Sequence, residues 1–111
     1  MNLTQLQNEQ AAWAQRNFGT VSVDSQLLGV MEEVGELAHA VLKEEQGIRG
    51  SREQHMADAA DAIGDTVIYL CGVATCLGID MEQAVTATWA SVSQRDWRKH
   101  PESGRPDGSE D

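Results

Sequence analysis

Glu32, Glu33 and Glu36 stand within little more than one helical turn, in the stretch Glu32-Glu33-Val34-Gly35-Glu36-Leu37, and Asp58, Asp61 and Asp65 follow further along. In a helix, residues three and four apart are neighbours, so Glu33 and Glu36, and also Glu32 and Glu36, project side by side. The same spacing sets Asp58, Asp61, Asp65 and Tyr69 along one face of a second helix. Like charges so placed repel, and a lone Glu-x-x-Glu is ordinarily a solvated acidic face. Two such faces on neighbouring helices have a further option, because antiparallel packing through a short loop brings them to one cleft. Oxygen-only donors select hard cations, Mg²⁺ or Mn²⁺, over zinc. Mg²⁺ binds through carboxylates together with substrate phosphates, so metal plus phosphate is the chemistry these residues suit.

The elements that must hold these groups follow from periodicity and end signals. A first helix is expected from about Thr4 to Asn17, with Leu3, Leu6, Ala12 and Trp13 as a sparse apolar stripe and Phe18-Gly19 closing it. Asp24 or Ser25 is expected to cap a second helix running to about Glu45. Its stripe of Leu27, Leu28, Val30, Met31, Val34, Leu37, Ala38, Val41 and Leu42 is expected to face the core, with the three glutamates opposite. Gly29 and Ala40 share the carboxylate side, where small residues let something come close. Gln46-Gly47-Ile48-Arg49-Gly50 breaks the chain, and Ser51 to Gln54 reads as a capping box opening a third helix that Leu77-Gly78 ends. Met56, Ala60, Ile63, Val67, Leu70 and Ala74 line its side away from the aspartates. From Thr66 to Ile79 no residue is charged, so this part is expected to be buried all round, with Asp65 at the edge of a dry region. Asp80 to Gln83 gives another capping box, opening a fourth helix with Ala84, Val85, Trp89 and Val92 that is expected to reach about Arg98 and to end basic. The expected architecture is an all-α, four-helix bundle-like domain over residues 1–100, followed by a disordered tail over 101–111.

At these motifs the chain resembles the MazG-like, all-α nucleoside triphosphate pyrophosphohydrolases, whose signature is Glu-Glu-x-x-Glu on one helix and Glu-x-x-Asp on the next. The likeness runs from Leu28 to about Leu77. Glu32 to Leu37 is similar to the first motif residue for residue, and Asp61-Ala62-Ile63-Gly64-Asp65-Thr66-Val67-Ile68-Tyr69-Leu70 is similar to the second. The resemblance implies Glu33, Glu36 and Asp65 as metal-binding catalytic residues, with Glu32 a further carboxylate. One position departs: the motif glutamate falls at Ala62, and Asp61, one residue earlier, is the substitute. The reaction implied is Mg²⁺-dependent hydrolysis of a nucleoside triphosphate to the monophosphate and pyrophosphate, in a MazG-type helical fold that forms a homodimer or homotetramer. The phosphoribosyl-ATP pyrophosphohydrolases of histidine synthesis share this chemistry. By resemblance, Tyr69 stands near the phosphates, Arg95 and Lys99 at the basic end of the fourth helix reach the triphosphate, and Trp13, Asn17 and Phe18 recognise the base. A catalytically idle oligomer, or a nucleotide- or metal-binding protein that keeps the acidic clefts, is the alternative, and Ala62 is its best support.

Composition sets the limits. The chain has 111 residues, room for one domain of moderate burial, and 41% hydrophobic content with few aromatics and two prolines, which favours helices over a β-sandwich. Eighteen acidic residues against eight basic give a formal charge of −10, which repels DNA, RNA and anionic membranes. A polyanionic substrate then needs cations to bridge it. Cys71 and Cys76, five apart, have neither zinc-ligand nor redox-pair spacing and are expected to be core thiols. No secretory signal is legible at the N-terminus and the uncharged stretch is short for a bilayer, so a cytoplasmic location is expected. His39 is assigned no metal role, and His55 and His100 are expected at the surface.

Overall fold

Four short polar side chains start the four helices. In the computed structural model, which describes residues 1–109, these are α1 (Leu3–Phe18), α2 (Val23–Gln46), α3 (Arg52–Cys76) and α4 (Met81–Val92). The described residues contain no strand, and the fold is all-α as expected. Ser51 and Asp80 cap α3 and α4 as the sequence predicts, accepting from the backbone N–H groups of Gln54 and Gln83. Asn2 caps α1 in a reciprocal box, accepting from the Gln5 N–H while the Gln5 side chain accepts from the Asn2 N–H. The cap of α2 is Ser22, earlier than the expected Asp24 or Ser25; its hydroxyl accepts from the Ser25 N–H, and Asp24 sits in the first turn. Gly47 ends α2 at φ 69°, a left-handed position that a glycine takes without strain. Helix α4 stops at Val92, short of the expected Arg98. Beyond it the Asp96 carboxylate accepts from the N–H groups of Arg98 and Lys99, a local turn that competes with helix.

Helices α2 and α3 form an antiparallel hairpin: Gln26 lies against Gly72, Gly29 against Tyr69, and Glu44 against His55. The seam between them is built of small residues, with Gly29, Ala40, Ala59, Ala62 and Gly72 all buried. Small side chains let two helix backbones approach closely, and the something that comes close to Gly29 is the Tyr69 ring. At the far end Glu44 joins Arg52 at 3.0 Å and His55 Nδ1 at 3.3 Å. His55 is therefore buried, 3% exposed, and not a surface residue as expected. The seam leaves room for its ring and Glu44 satisfies one of its nitrogens, a pairing that periodicity alone does not reveal. Helix α1 lies on α3, where Gln7 donates to the Ile79 carbonyl and accepts from the Met81 N–H. Helix α4 rests on α1 and buries no residue fully.

The large apolar side chains are not in the core. Leu27, Leu28, Met31, Val34, Val41 and Leu42 of α2, and Met56, Ile63 and Leu70 of α3, are exposed, Leu28 by 70%. The buried apolar set is Ala14, Val30, Ala40, Ala59, Ala62, Cys71 and Ala74. The stripe expected to be the core of α2 is thus turned away from α3, because the helices meet on their small-residue side. The dimensions agree: the Cα radius of gyration is 17.7 Å, where a compact chain of this length has about 13 Å. The accessible surface of 7916 Å² exceeds by about 1,900 Å² the value usual for this mass. Helix α3 is also long and apolar enough, by length and composition, to cross a membrane, yet it carries Asp61 and Asp65.

Residues 101–109, expected to belong to a disordered tail, form turns drawn back to the end of α4. The Asp96 N–H donates to the Gly104 carbonyl at 2.8 Å, the Arg105 guanidinium donates to the Ser91 carbonyl at 3.3 Å, and Ser103 and Gly104 are buried. The last two residues of that expected tail lie outside the described residues.

Candidate metal-binding cleft

Helical period decides which glutamate is buried. Glu33 lies seven residues from both Gln26 and Ala40, so it shares their side of α2 and faces the hairpin seam, at 8% exposure. Glu32 and Glu36 fall on the adjoining exposed flank. Oxygens of the three carboxylates come within 4.8 Å of one another. Asp65, half-buried on α3, adds its charge from across the seam. Burial first, then the hydrogen bond and charge of Glu36, then the charges of Asp65 and Glu32, push the Glu33 carboxyl up from 4.5 to about 7. Its Oε2 is buried and has no hydrogen-bond partner. An acceptor held out of water among three other carboxylates is costly without a donor or a cation. The donor set is oxygen only, which fits a hard divalent ion.

Glu36 opens on its other side into a hollow of about 230 Å³, lined also by His39, Ala40, Asp58 and Asp61. The carboxylates of both helices therefore share one flank of the hairpin, with Glu36 at the junction. Ala62, where the motif glutamate would stand, is 1% exposed in the seam, so α3 presents its carboxylates from Asp61 and Asp65 on either side of that close approach. One turn beyond Asp65, the Tyr69 ring lies over Gly29.

The other expected residues are not brought to this cleft. Arg95 lies past the end of α4, its guanidinium 5.4 Å from the centre of the Trp97 ring and its side chain against Gly104. Lys99 sits in the following turn, and neither residue lines the acidic hollow. Trp13 and Phe18 form an exposed edge-to-face pair with ring centres 5.6 Å apart, and Asn17 donates to the Trp13 carbonyl.

A cavity of about 390 Å³ between α1 and the end of α3 was not foreseen. Gln10, Ala14, Val21, Gly72, Thr75 and Cys76 are among its lining residues, while Trp13, Asn17 and Phe18 are not. Gln10 and Gln26 are each 7% exposed, and the hydrogen bonds of the described residues include neither side-chain amide. Both amide ends meet at Gly72, in the cavity wall. The sequence does carry a signal for them: Gln26 lies on the same side of α2 as Gly29, Glu33 and Ala40, a polar residue on a small-residue seam.

No family model and no curated protein matches this chain.

The raised Glu33 carboxyl fixes a pH dependence. A carboxyl that ionises near 4.5 when unfolded and near 7 when folded favours the folded state most at low pH. Stability of the metal-free protein is then lost as pH rises from about 4.5 to about 7. Thermal melts in chelator across that range are expected to show a falling melting temperature in the wild type and a flatter profile in Glu33→Gln. An equally steep profile in the variant would place the titration elsewhere.

Proposed function

We propose that the protein is a Mg²⁺-dependent nucleoside triphosphate pyrophosphohydrolase of the MazG-like kind, converting a (deoxy)nucleoside triphosphate to the monophosphate and pyrophosphate. The observation that carries this reading is the unpartnered, buried Glu33 Oε2 among Glu32, Glu36 and Asp65. These four, with Asp61 beyond Glu36, would hold Mg²⁺ or Mn²⁺. The ion would supply charge neutralisation for the phosphates and a more acidic bound water. Of the chain's own groups, Glu36 is exposed between the buried Glu33 carboxyl and the hollow, where it can take a proton from an attacking water. Tyr69 is placed next along the seam to orient the phosphate chain. Gln26 lies seven residues before Glu33, about 10 Å along the helix. The cavity beside it therefore suits the nucleoside end of the same ligand, its base met by the side-chain amide of Gln10, which lines it.

The surface supports an assembled form, a homodimer or homotetramer. About 1,900 Å² of excess surface per chain exceeds the roughly 800 Å² per partner of a standard interface. Leu27, Val34 and Val41 share a flank of the hairpin with Met56, Ile63 and Leu70, opposite the carboxylates. Sedimentation is expected to show an oligomer at micromolar concentration, and Leu27→Asp with Ile63→Asp to shift it toward monomer; a wild-type monomer would refute this. Arg95 and Lys99 serve as phosphate contacts where association brings the end of α4 to a cleft.

A second reading, a nucleotide- or metal-binding oligomer without turnover, is favoured by Ala62, which leaves the site one glutamate short. Ribo- and deoxyribonucleoside triphosphates incubated with Mg²⁺ or Mn²⁺, scored for pyrophosphate against phosphate, separate the two. Pyrophosphate release from at least one substrate is expected; metal-dependent binding with no product would establish the second reading instead.

A further inference from the structure

We propose that the outer face of α4 is a second self-association surface, on which α4 of another copy lies antiparallel about a two-fold axis. Ala84, Val85, Thr88, Trp89 and Val92 recur three and four residues apart and line a shallow groove of about 370 Å³. Every one of these residues belongs to α4, so no other described element of the chain walls the groove. Trp89 is 65% exposed, and Val85 and Val92 are nearly half exposed. An uncharged apolar stripe built round one tryptophan has the composition of an interface centre, not of a solvated face. Helix α4 is held to its own chain at its first turn, where the Met81 N–H donates to Gln7 and Glu82 accepts from the Thr4 hydroxyl. From Ala84 onward the stripe is open.

A second copy is the occupant because the exposed surface exceeds what one interface removes. The chain carries about 1,900 Å² more surface than is usual for its mass, and a standard interface removes roughly 800 Å² per partner. With the hairpin flank taken as one interface, about 1,100 Å² stays exposed, enough for a second. Charge selects the direction. Asp80 and Glu82 stand at the start of α4, and Arg98 and Lys99 follow its end. Antiparallel pairing centred between Thr88 and Trp89 lays each acidic start beside the other copy's basic end, whereas parallel pairing sets like charge beside like. Val85 of each copy then meets Val92 of the other, and each tryptophan lies across the other copy's Thr88. Two isologous contacts per chain, flank and α4, are the pattern of a dihedral tetramer. That count rests on the flank reading given above; the α4 contact does not.

Sedimentation of the full chain as wild type, as Trp89→Asp and as the flank pair Leu27→Asp with Ile63→Asp tests this, with circular dichroism to show that each stays helical. Expected are a tetramer in the wild type, a dimer in Trp89→Asp and in the flank pair, and a monomer when all three changes are combined. Trp89→Asp is expected to raise the dissociation constant of the α4 contact on the order of a hundredfold or more. Cross-linking reads the two-fold directly. In a Cys76→Ser background, which removes the exposed native thiol, Thr88→Cys is expected to form a disulfide-linked dimer on mild oxidation, because the two copies of that position meet near the axis. Ala87→Cys, off the groove, is expected to stay unlinked. An unchanged mass in Trp89→Asp, a monomeric wild type, or equal cross-linking at positions 87 and 88 would overturn the proposal. A flank pair that keeps the wild-type mass, while Trp89→Asp halves it, would uphold the α4 contact and refute the flank reading alone.

Discussion

Glu33→Gln is expected to lose the Mg²⁺-induced rise in melting temperature and to cut turnover on the order of a hundredfold or more, while the metal-free protein becomes more stable at neutral pH. The two effects have one cause. The wild-type carboxyl, raised to about 7, must be ionised near neutrality to hold a cation, and its ionised form is disfavoured by burial and by Glu36, Asp65 and Glu32. Gln keeps the shape and removes that charge. The metal-free fold then gains what the cation formerly supplied by binding. Glu36→Gln and Asp65→Asn are expected to behave alike in direction. Asp61→Asn divides two arrangements, because Asp61 lies across the hollow on the far side of Glu36. Loss of the metal-induced shift would put the ion, or a second ion, in that hollow. Retention of the full shift would leave Glu32, Glu33, Glu36 and Asp65 as the set. If Glu33→Gln itself kept the whole shift, no ion would be held at the buried carboxylate and the reading of the cleft would fall.

Gly29→Ala is expected to destabilise the protein by roughly 1 to 3 kcal/mol, although an alanine is ordinarily the better helix residue by about 1 kcal/mol. The added methyl would collide with the Tyr69 ring, a rigid group standing over the seam. Either the ring leaves its place or the two helices separate. Gly72→Ala is the matched control: the atom in its way is the far end of the Gln26 side chain, which can rotate aside. It is expected to cost much less stability while disturbing the cavity. Denaturant melts of the two variants decide the matter, and equal stability of Gly29→Ala and wild type would show that the seam is looser than its geometry. Tyr69→Leu in the Gly29→Ala background is expected to recover part of the loss, since it removes the ring that the methyl meets.

The helices and the grouping of the carboxylates were legible because both depend on local rules. Ser51 and Asp80 announced their caps, and the three- and four-residue spacing put Asp58, Asp61 and Asp65 on one face. What the sequence did not disclose is which side of each helix meets its own chain. Leu28, Met31 and Ile63 read as core because periodicity shows that apolar residues share a face, not what covers that face. The small residues Gly29, Ala40, Ala59 and Ala62 held the missing information, since only they allow the close approach that buries Glu33. His55 and Gln26 were misplaced or overlooked for the same reason: a polar side chain on a close seam has no periodic signature, and its burial depends on one partner across the gap. The length of α4 depended on a side-chain bond from Asp96 that propensity does not register.

The Glu44 and His55 pairing at one end of the hairpin and the Gln26 and Gly72 approach at the other bind the two helices to a fixed count of residues. Each added residue turns everything beyond it by about 100°. A single insertion between Glu36 and Glu44 would therefore swing Glu44 off His55 and carry Leu42 round toward the acidic flank, while a substitution at the same place leaves the phase untouched. Natural variation in this stretch should accordingly arrive as replacements, or as whole turns, and length changes should gather in the Gly47 to Gly50 loop and beyond Val92.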